Sequence, residues 1–486
     1  MNVLLPSALY SVAAVRALDA AAIASGIPGL VLMERAGLAA WQVLQRRWPA
    51  ARRLAVLCGP GNNGGDGYVL ARAARAAGCE VQLVEVGDGR RGADADACRQ
   101  AALSAGLVPS RRYEQLAAAE VLVDALFGIG LSRPPINPYA DAIAAINAAG
   151  RPVLSLDVPS GLNADTGTAP GAVVRASVTV SFIALKQGLV TGDARDVVGA
   201  LELVTLDIPA STGADLAPAA RRLPVPRLLP RRRVAHKGEA GHVLVIGGSP
   251  GYAGAARLAA EAALRSGAGL VSVATVAESV PLVHAGRPEI MTHAVTDAAQ
   301  LAPLLARASV VAIGPGLGQG VWGQTMFGAV RDLKLPLVLD ADALNLLAIN
   351  PQHRADWCLT PHPGEAARLL GLPDARAINA DRYAAVSALR ARFGGAVILK
   401  GAGTLVAGDA GIGVVTAGNP GMASGGMGDV LTGVVAALCA QGLALSDAAA
   451  HGAMAHALAA DRVAARDGER GLLASDLFAE LRRILN

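Results

Sequence analysis

Leu54 to Gly67 reads L-A-V-L-C-G-P-G-N-N-G-G-D-G. Leu54–Cys58 is a continuous apolar run of strand length, Gly59–Gly67 holds the glycines, and a helical pattern continues through Ala77. Strand, glycine loop and helix in that order make the phosphate-binding unit of doubly wound α/β folds. Further apolar runs at Val81–Glu85, Val121–Ala125, Val153–Leu156, Val178–Ile183 and Leu201–Leu206 alternate with helical stretches. That alternation predicts a mostly parallel sheet covered on both faces. Ahead of it, Tyr10–Ser25 and Leu30–Arg47 carry apolar residues at helical spacing across a Gly26–Gly29 turn.

The pattern lapses between Pro209 and Arg233, where five prolines and a run of arginines interrupt it. This places a linker at 216–232 between domains 1–215 and 233–486. A second α/β alternation starts at His242–Ile246, again followed by a glycine loop and a helix through Arg265. Strands are predicted at Val271–Thr275, Val310–Ile313, Leu337–Asp340, Trp357–Thr360 and Val397–Leu399, and Ala-rich helices close the chain from Asp429.

At 486 residues the chain exceeds one core, and 53% hydrophobic against 17% charged residues describes a globular protein. Aromatics at 3% and a net charge of +4 give no stacking platform and no basic face, so neither nucleic acid nor membrane is implied as a partner. Five dispersed cysteines without a C-x-x-C fit reduced thiols in a cytoplasm better than disulfides or zinc. The longest uncharged window, Val430–Ser446, is too short to span a bilayer, and the N-terminus lacks a basic leader. Large Ala-faced helices suggest a homo-oligomer.

In the N-terminal half, two Asn and five Gly in nine residues exceed what one helix cap needs, although Asp66 alone fits an N-cap. Two further loops follow apolar strands, where open α/β sheets place ligands. These are Asp124 with Phe127–Pro134 and Asp157–Val158–Pro159–Ser160–Gly161. A third, near Lys186, carries less weight because a lysine there also serves to solvate a strand end. Asp124, the Asn63 amide and the Ser160 region offer hard oxygens of low total charge, which suits a large monovalent cation better than zinc. Structural N-caps are an equal alternative for Asp124 and Asp157.

In the C-terminal half the densest signal is Gly418–Gly433, G-N-P-G-M-A-S-G-G-M-G-D-V-L-T-G, which holds six glycines and runs into an uncharged helix directly after Asp429. Gly425, Gly426 and Gly428 let the backbone approach a ligand and take positive φ, and a helix starting near Asp429 aims its amides at the same spot. That describes an anion hole with a carboxylate at its rim. Five motifs precede it at successive strand ends: Gly247–Ala259, Ile313–Gln319, Leu339–Asn345, Thr360–Glu365 and Lys400–Thr404. None is a Walker A loop. Asp340, Asp342, Asn345 and Glu365 form a hard-oxygen set suited to Mg2+, though each alone also fits a helix cap. His362, between two prolines, is expected in a rigid exposed loop, and Lys400 at a strand end fits a phosphate contact.

N-N-G-G-D-G-Y, D-A-L-F-G-I-G-L and D-V-P-S-G-L together resemble the epimerase domain of the NAD(P)H-hydrate repair family. T-P-H-P-G-E, K-G-A-G-T and G-M-A-S-G-G-M-G-D-V-L-T-G resemble its ADP-dependent dehydratase domain, within the ribokinase-like superfamily. The resemblance implies an N-terminal Rossmann-like three-layer α/β/α domain followed by a C-terminal ribokinase-like α/β domain. It implies epimerisation of hydrated NADH or NADPH with K+, then ADP-driven dehydration of the S epimer, giving AMP and phosphate, with Mg2+ on the nucleotide. By motif, Asn62, Asn63, Gly64, Gly65, Asp66, Gly128, Ile129, Gly130, Leu131, Ser132, Arg133, Pro134 and Asp157 would contact the hydrated nucleotide. Ile129 stands where Thr is more common. Asn63, Asp124 and Ser160 would hold K+, and Asp157 would be the acid–base group. In the second domain Ala253, Gly316, His362 and Asp429 would contact the hydrate, Lys400, Gly401, Ala402, Gly403, Thr404 and Gly428 would contact AMP, and Asp429 would be the base. A vitamin-precursor kinase fused to a nucleotide-binding module is the alternative.

Overall fold

The computed structural model describes residues 5–113, 116–131, 133–213 and 215–486. The chain divides into two compact units, Met1–Arg221 and Arg222–Asn486.

The first unit is built on a seven-stranded sheet. Its order is Pro109–Ser110, Glu80–Glu85, Arg53–Cys58, Val121–Ala125, Val153–Leu156, Val178–Phe182 and Ala200–Val204. Every pairing is parallel. Side chains of the central strand alternate between two cores. Leu54, Val56 and Cys58 pack with the helices Gly29–Arg47 and Asn62–Ala76, while Ala55 and Leu57 pack with Tyr139–Ala148. Burial on both faces is why the strands read as unbroken apolar runs. Chain order reverses between Arg53–Cys58 and Val121–Ala125, so the loops leaving these two strands open a crevice at their carboxyl ends.

Part of the stretch read as a loop is helix. The helix runs Asn62–Ala76 with Gly61 as its N-cap, so Asn62–Asp66 form its first turns and Asp66 is not the cap. None of Gly64, Gly65 and Gly67 takes positive φ. A Cβ on Gly64 would strike the Gly59 carbonyl, one on Gly65 the Met33 sulfur, and one on Gly67 would lie 2.6 Å from the Ala125 Cβ. These glycines let the helix sit against its strands, which a composition reading cannot separate from ligand approach.

The second unit orders its strands Gly411–Val414, Leu405–Gly408, Ala396–Leu399, Trp357–Leu359, Leu337–Leu339, Val310–Ile313, His242–Ile246, Leu270–Thr275 and Met291–Ala294. The last seven are parallel, and the first two form an antiparallel hairpin on Ala396–Leu399. The hairpin and the edge strand Met291–Ala294 were not anticipated. Glycines at 408, 411 and 413 dilute the apolar signal of the hairpin, and the edge strand is half exposed. Chain order reverses between His242–Ile246 and Val310–Ile313, which sets the Gly247 and Gly314 loops side by side.

Most of the uncharged window lies in the core helix Met427–Ala440, packed on Ala253–Arg265 and Leu445–Asp467. Gly433 abuts the Ala259 carbonyl, so these helices touch nearly backbone to backbone. Among the described residues no single helix is long and apolar enough to cross a membrane.

Candidate active sites

In the first unit Asp124 ends a central strand and is fully buried. Its carboxylate accepts from the Ser160 amide at 2.8 Å, the Ser160 hydroxyl at 2.5 Å, the Ser155 hydroxyl at 2.8 Å and the Leu126 amide at 3.3 Å. All four partners are neutral. Burial pushes its pKa up against these bonds. Asn63, in the first turn of the neighbouring helix, is buried, and both atoms of its carboxamide lack a hydrogen-bond partner. Orphaned buried amides are rare and mark a missing ligand or water. A buried carboxylate with only neutral partners and a buried amide oxygen without a partner are donors that suit a weakly held monovalent ion.

Asp157 follows the strand Val153–Leu156 and is held at φ 63, in the left-handed region. It is not a helix cap. Its Oδ1 accepts from the Phe182 amide at 3.2 Å and from the Lys186 ammonium. Lys186 does not solvate a strand end, as its sequence position suggests, because its side chain is 1% exposed. A Cβ on Gly128 would lie 3.1 Å from Asp157 Oδ2 and 3.6 Å from Asn63 Cγ, so Gly128, Asn63 and Asp157 border one space. Burial raises the pKa of Asp66 well above the usual range, and Asp157 and Asp19 add to it. Asn62, Gly130, Arg133 and Pro134 are exposed, and Ile129 packs on the Val158 cluster. Ser132 lies outside the described residues.

In the second unit Asp340 is buried at the end of Leu337–Leu339. It accepts from Lys400 Nζ at 2.8 Å, Thr360 Oγ1 at 2.8 Å and Thr432 Oγ1 at 2.9 Å. Burial alone would raise its pKa, but Lys400 and the hydroxyls hold it below the ordinary range. Glu365 Oε2 stands 3.9 Å from the same ammonium, and burial pushes that carboxyl up. A Cβ on Gly428 would lie 3.1 Å from Lys400 Nζ and 3.5 Å from Asp340 Oδ2, so the first turn of the helix Met427–Ala440 meets this pair.

Asp429 sits in the first turn of Met427–Ala440, which starts at Gly426 with φ 90, two residues earlier than the sequence suggests. Of the three loop glycines only Gly426 takes positive φ. Asp429 accepts no hydrogen bond among the described residues. Burial lifts its pKa to about 7, Asp340 adds to the rise and Lys400 opposes it. A carboxylate near 7 is poised to take a proton at neutral pH.

His362 caps the helix Pro363–Leu370. Its Nδ1 accepts from Gly364 N at 3.0 Å and Glu365 N at 3.4 Å, and Glu365 returns a bond to the His362 amide at 2.8 Å. The cap fixes the tautomer and puts the proton on Nε2, which lies 3.5 Å from Glu365 Oε1 on a half-exposed ring. Burial and the Lys400 and Arg368 charges lower its pKa, which favours the neutral ring. Ala253 opens the helix Ala253–Arg265, and Gly316, at φ 59, lies against Tyr252 beside it. The Lys400–Thr404 turn is closed by the Thr404 hydroxyl on Gly401, whose φ of 135 requires glycine. Sequence reasoning missed the support beneath it. Arg382, buried and with its pKa lowered to about 10 by burial, donates to the Leu399 and Lys400 carbonyls.

The four residues read as a magnesium set separate. Asp342 accepts from Gly318 N at 2.9 Å, Gln319 Nε2 at 3.0 Å and Asn345 Nδ2 at 3.3 Å, pinning the Gly314–Gln319 loop. Only Asp340 and Glu365 face Lys400, and the described residues hold no cluster of three His, Cys, Asp or Glu side chains able to bind a metal.

Residues 29–188 match the family model described as YjeF-related protein N-terminus, and 243–483 match that described as NAD(P)H-hydrate dehydratase. The chain is 49% identical to Bifunctional NAD(P)H-hydrate repair enzyme Nnr of Coxiella burnetii, over 98% of this chain and 99% of that protein. The chain belongs to the bifunctional NAD(P)H-hydrate repair enzymes. Its counterpart of the same name in Escherichia coli is 47% identical over 95% of this chain and 91% of its own. A crystal structure of ADP/ATP-dependent NAD(P)H-hydrate dehydratase from Bacillus subtilis, co-crystallized with ATP/Mg2+, is 29% identical. It covers 53% of this chain and 93% of its own, with a TM-score of 0.48. The two family models fall in the expected order, the YjeF-related domain before the dehydratase domain.

Proposed function

We propose that the first unit interconverts the R and S epimers of hydrated NADH and NADPH, and that the second dehydrates the S epimer with ADP. The carrying observation is Asp429, a carboxylate with a pKa of about 7 in the first turn of a helix that borders the Asp340–Lys400 pair. Asp429 takes the proton of the added hydroxyl, whose oxygen attacks the β-phosphorus of ADP and releases AMP. The ring nitrogen then expels phosphate, and loss of the neighbouring carbon's proton restores the dihydronicotinamide. Amides at the helix N-terminus, Gly428 among them, stabilise charge on the phosphoryl group in transit. Lys400 to Thr404 and Gly428 hold the nucleotide, while Ala253, Gly316, the half-exposed ring of His362 and Asp429 hold the hydrate.

In the first unit Asp157 is the acid–base group, and Asn62–Asp66 with Gly128–Pro134 line the nucleotide. Asn63, Asp124 and Ser160 would hold K+, which would balance the Asp124 charge and occupy the orphaned Asn63 oxygen. Magnesium would arrive on the nucleotide phosphates, since among the described residues no three His, Cys, Asp or Glu side chains cluster to hold it. Five buried, unpaired cysteines favour a reducing, cytoplasmic setting, and the Ala-faced helices favour self-association.

One assay decides between this reading and a vitamin-precursor kinase. Hydrated NADH with ADP or ATP is followed at the dihydronicotinamide absorbance. Recovery with release of AMP from ADP is expected, whereas a stable phosphorylated product and no recovery would overturn the dehydratase reading.

A further inference from the structure

Lys186 is among the most deeply buried polar side chains of the first unit, and its three ammonium protons are all committed. They go to Asp157 Oδ1, to Ser181 Oγ at 3.0 Å and to the Phe182 carbonyl at 2.8 Å. A buried lysine is retained only where a charge or hydrogen bonds compensate its desolvation. The pairing treats the two oxygens of Asp157 differently. Oδ1 is saturated by Lys186 and the Phe182 amide, while Oδ2 accepts no hydrogen bond among the described residues and faces the space bordered by Gly128 and Asn63. The backbone adds its own constraint, since Asp157 N donates to the Val180 carbonyl at 2.7 Å with φ at 63. The charged groups whose fields meet here are Asp157, Asp66, Asp19 and Lys186, so one buried cation offsets three carboxyls.

We infer that Lys186 is a positioning residue for epimerisation, pinning Asp157 by Oδ1 so that Oδ2 alone exchanges a proton with the hydrate. Protonated Oδ2 donates to the leaving hydroxyl, which departs as water as the ring-nitrogen lone pair forms the C=N bond. Lys186 balances the carboxylate left behind. Water then re-adds to either face of that carbon, and its proton returns to Oδ2, leaving the enzyme unchanged. The inference rests on the reading of Asp157 as the acid–base group.

The test uses the full chain, with dehydration of the S hydrate in the same sample as a check on folding. Lys186→Ala is expected to lower the epimerisation kcat by about 10²-fold, the span of general acid–base catalysis. KM should stay within about threefold, because the lost interaction acts in the transition state. Methylammonium should restore part of the kcat of Lys186→Ala, and Lys186→Met, which fills the volume without the charge, should remain as slow. Equal activity of Lys186→Met and wild type would overturn the inference and make Lys186 a packing residue. Full epimerisation by Asp157→Asn would instead remove the acid–base reading on which it stands.

Discussion

The Lys400 ammonium donates to Asp340 at 2.8 Å, and this buried pair governs a third group, Asp429, on the next helix. Asp340 raises the Asp429 pKa and Lys400 restrains it, beneath the larger lift from burial. Asp429 serves as a base only when ionised. Dehydration kcat/KM is therefore expected to fall as pH drops below about 7, and to level off above it. Asp429→Asn should lose roughly 10³-fold or more in dehydration while epimerisation persists. A pH profile and paired assays on one preparation check both.

Removing the ammonium should act on two readouts. Lys400→Met leaves Asp340 buried without its cation, at a cost of about 3 kcal/mol of stability, reduced by the partial exposure of Lys400. It also withdraws the charge that holds Asp429 down, so the acid limb of any residual dehydration should move to higher pH. Denaturant unfolding and the pH profile measure the two effects separately.

Gly128 and Gly428 offer matched steric probes, since neither takes positive φ and a methyl group costs no backbone strain. Gly128→Ala places a Cβ about 3 Å from Asp157 Oδ2 and should slow epimerisation by roughly 10-fold or more, through a displaced carboxylate. Gly428→Ala presses on Lys400 and should slow dehydration alone by a similar factor. Loss of both activities in either variant would contradict the separation of the two sites.

Replacing K+ with a bulky organic cation should depress epimerisation and leave dehydration rates intact. Asn63→Ala should mimic this loss and abolish the dependence on K+, because its orphaned carboxamide is the oxygen assigned to the ion. Epimerisation measured against K+ concentration in both proteins tests the assignment.

His456, buried in Leu445–Asp467 with Nε2 unpartnered, has its pKa lowered from 6.5 to about 4 by burial, with Lys400 adding to the effect. The unfolded chain therefore binds the proton first as pH falls, and stability declines from about pH 6.5 down to about pH 4. The span corresponds to on the order of 3 kcal/mol. His456→Gln should flatten that decline in unfolding experiments run from pH 7 to pH 4.

The sequence by itself determined the central parallel strands of both sheets and the glycine turns that follow them, and it singled out the residues proposed for two sites. It did not determine the edge strands Pro109–Ser110 and Met291–Ala294 or the hairpin of Leu405–Gly408 and Gly411–Val414. Strands buried on both faces leave unbroken apolar runs, and ligand loops follow them at their carboxyl ends, so order along the chain was enough. Distances across the sheet were decided only by tertiary structure, because strands adjacent in space are far apart in sequence. Lys186 finds Asp157 across 29 residues and Lys400 finds Asp340 across 60, and no local pattern encodes either pair. The same packing withdrew Asp342 and Asn345 from the supposed metal set and turned N-N-G-G-D into a helix. It also gave Asp429 a pKa of about 7, a property of buried surroundings that its place in the sequence does not carry.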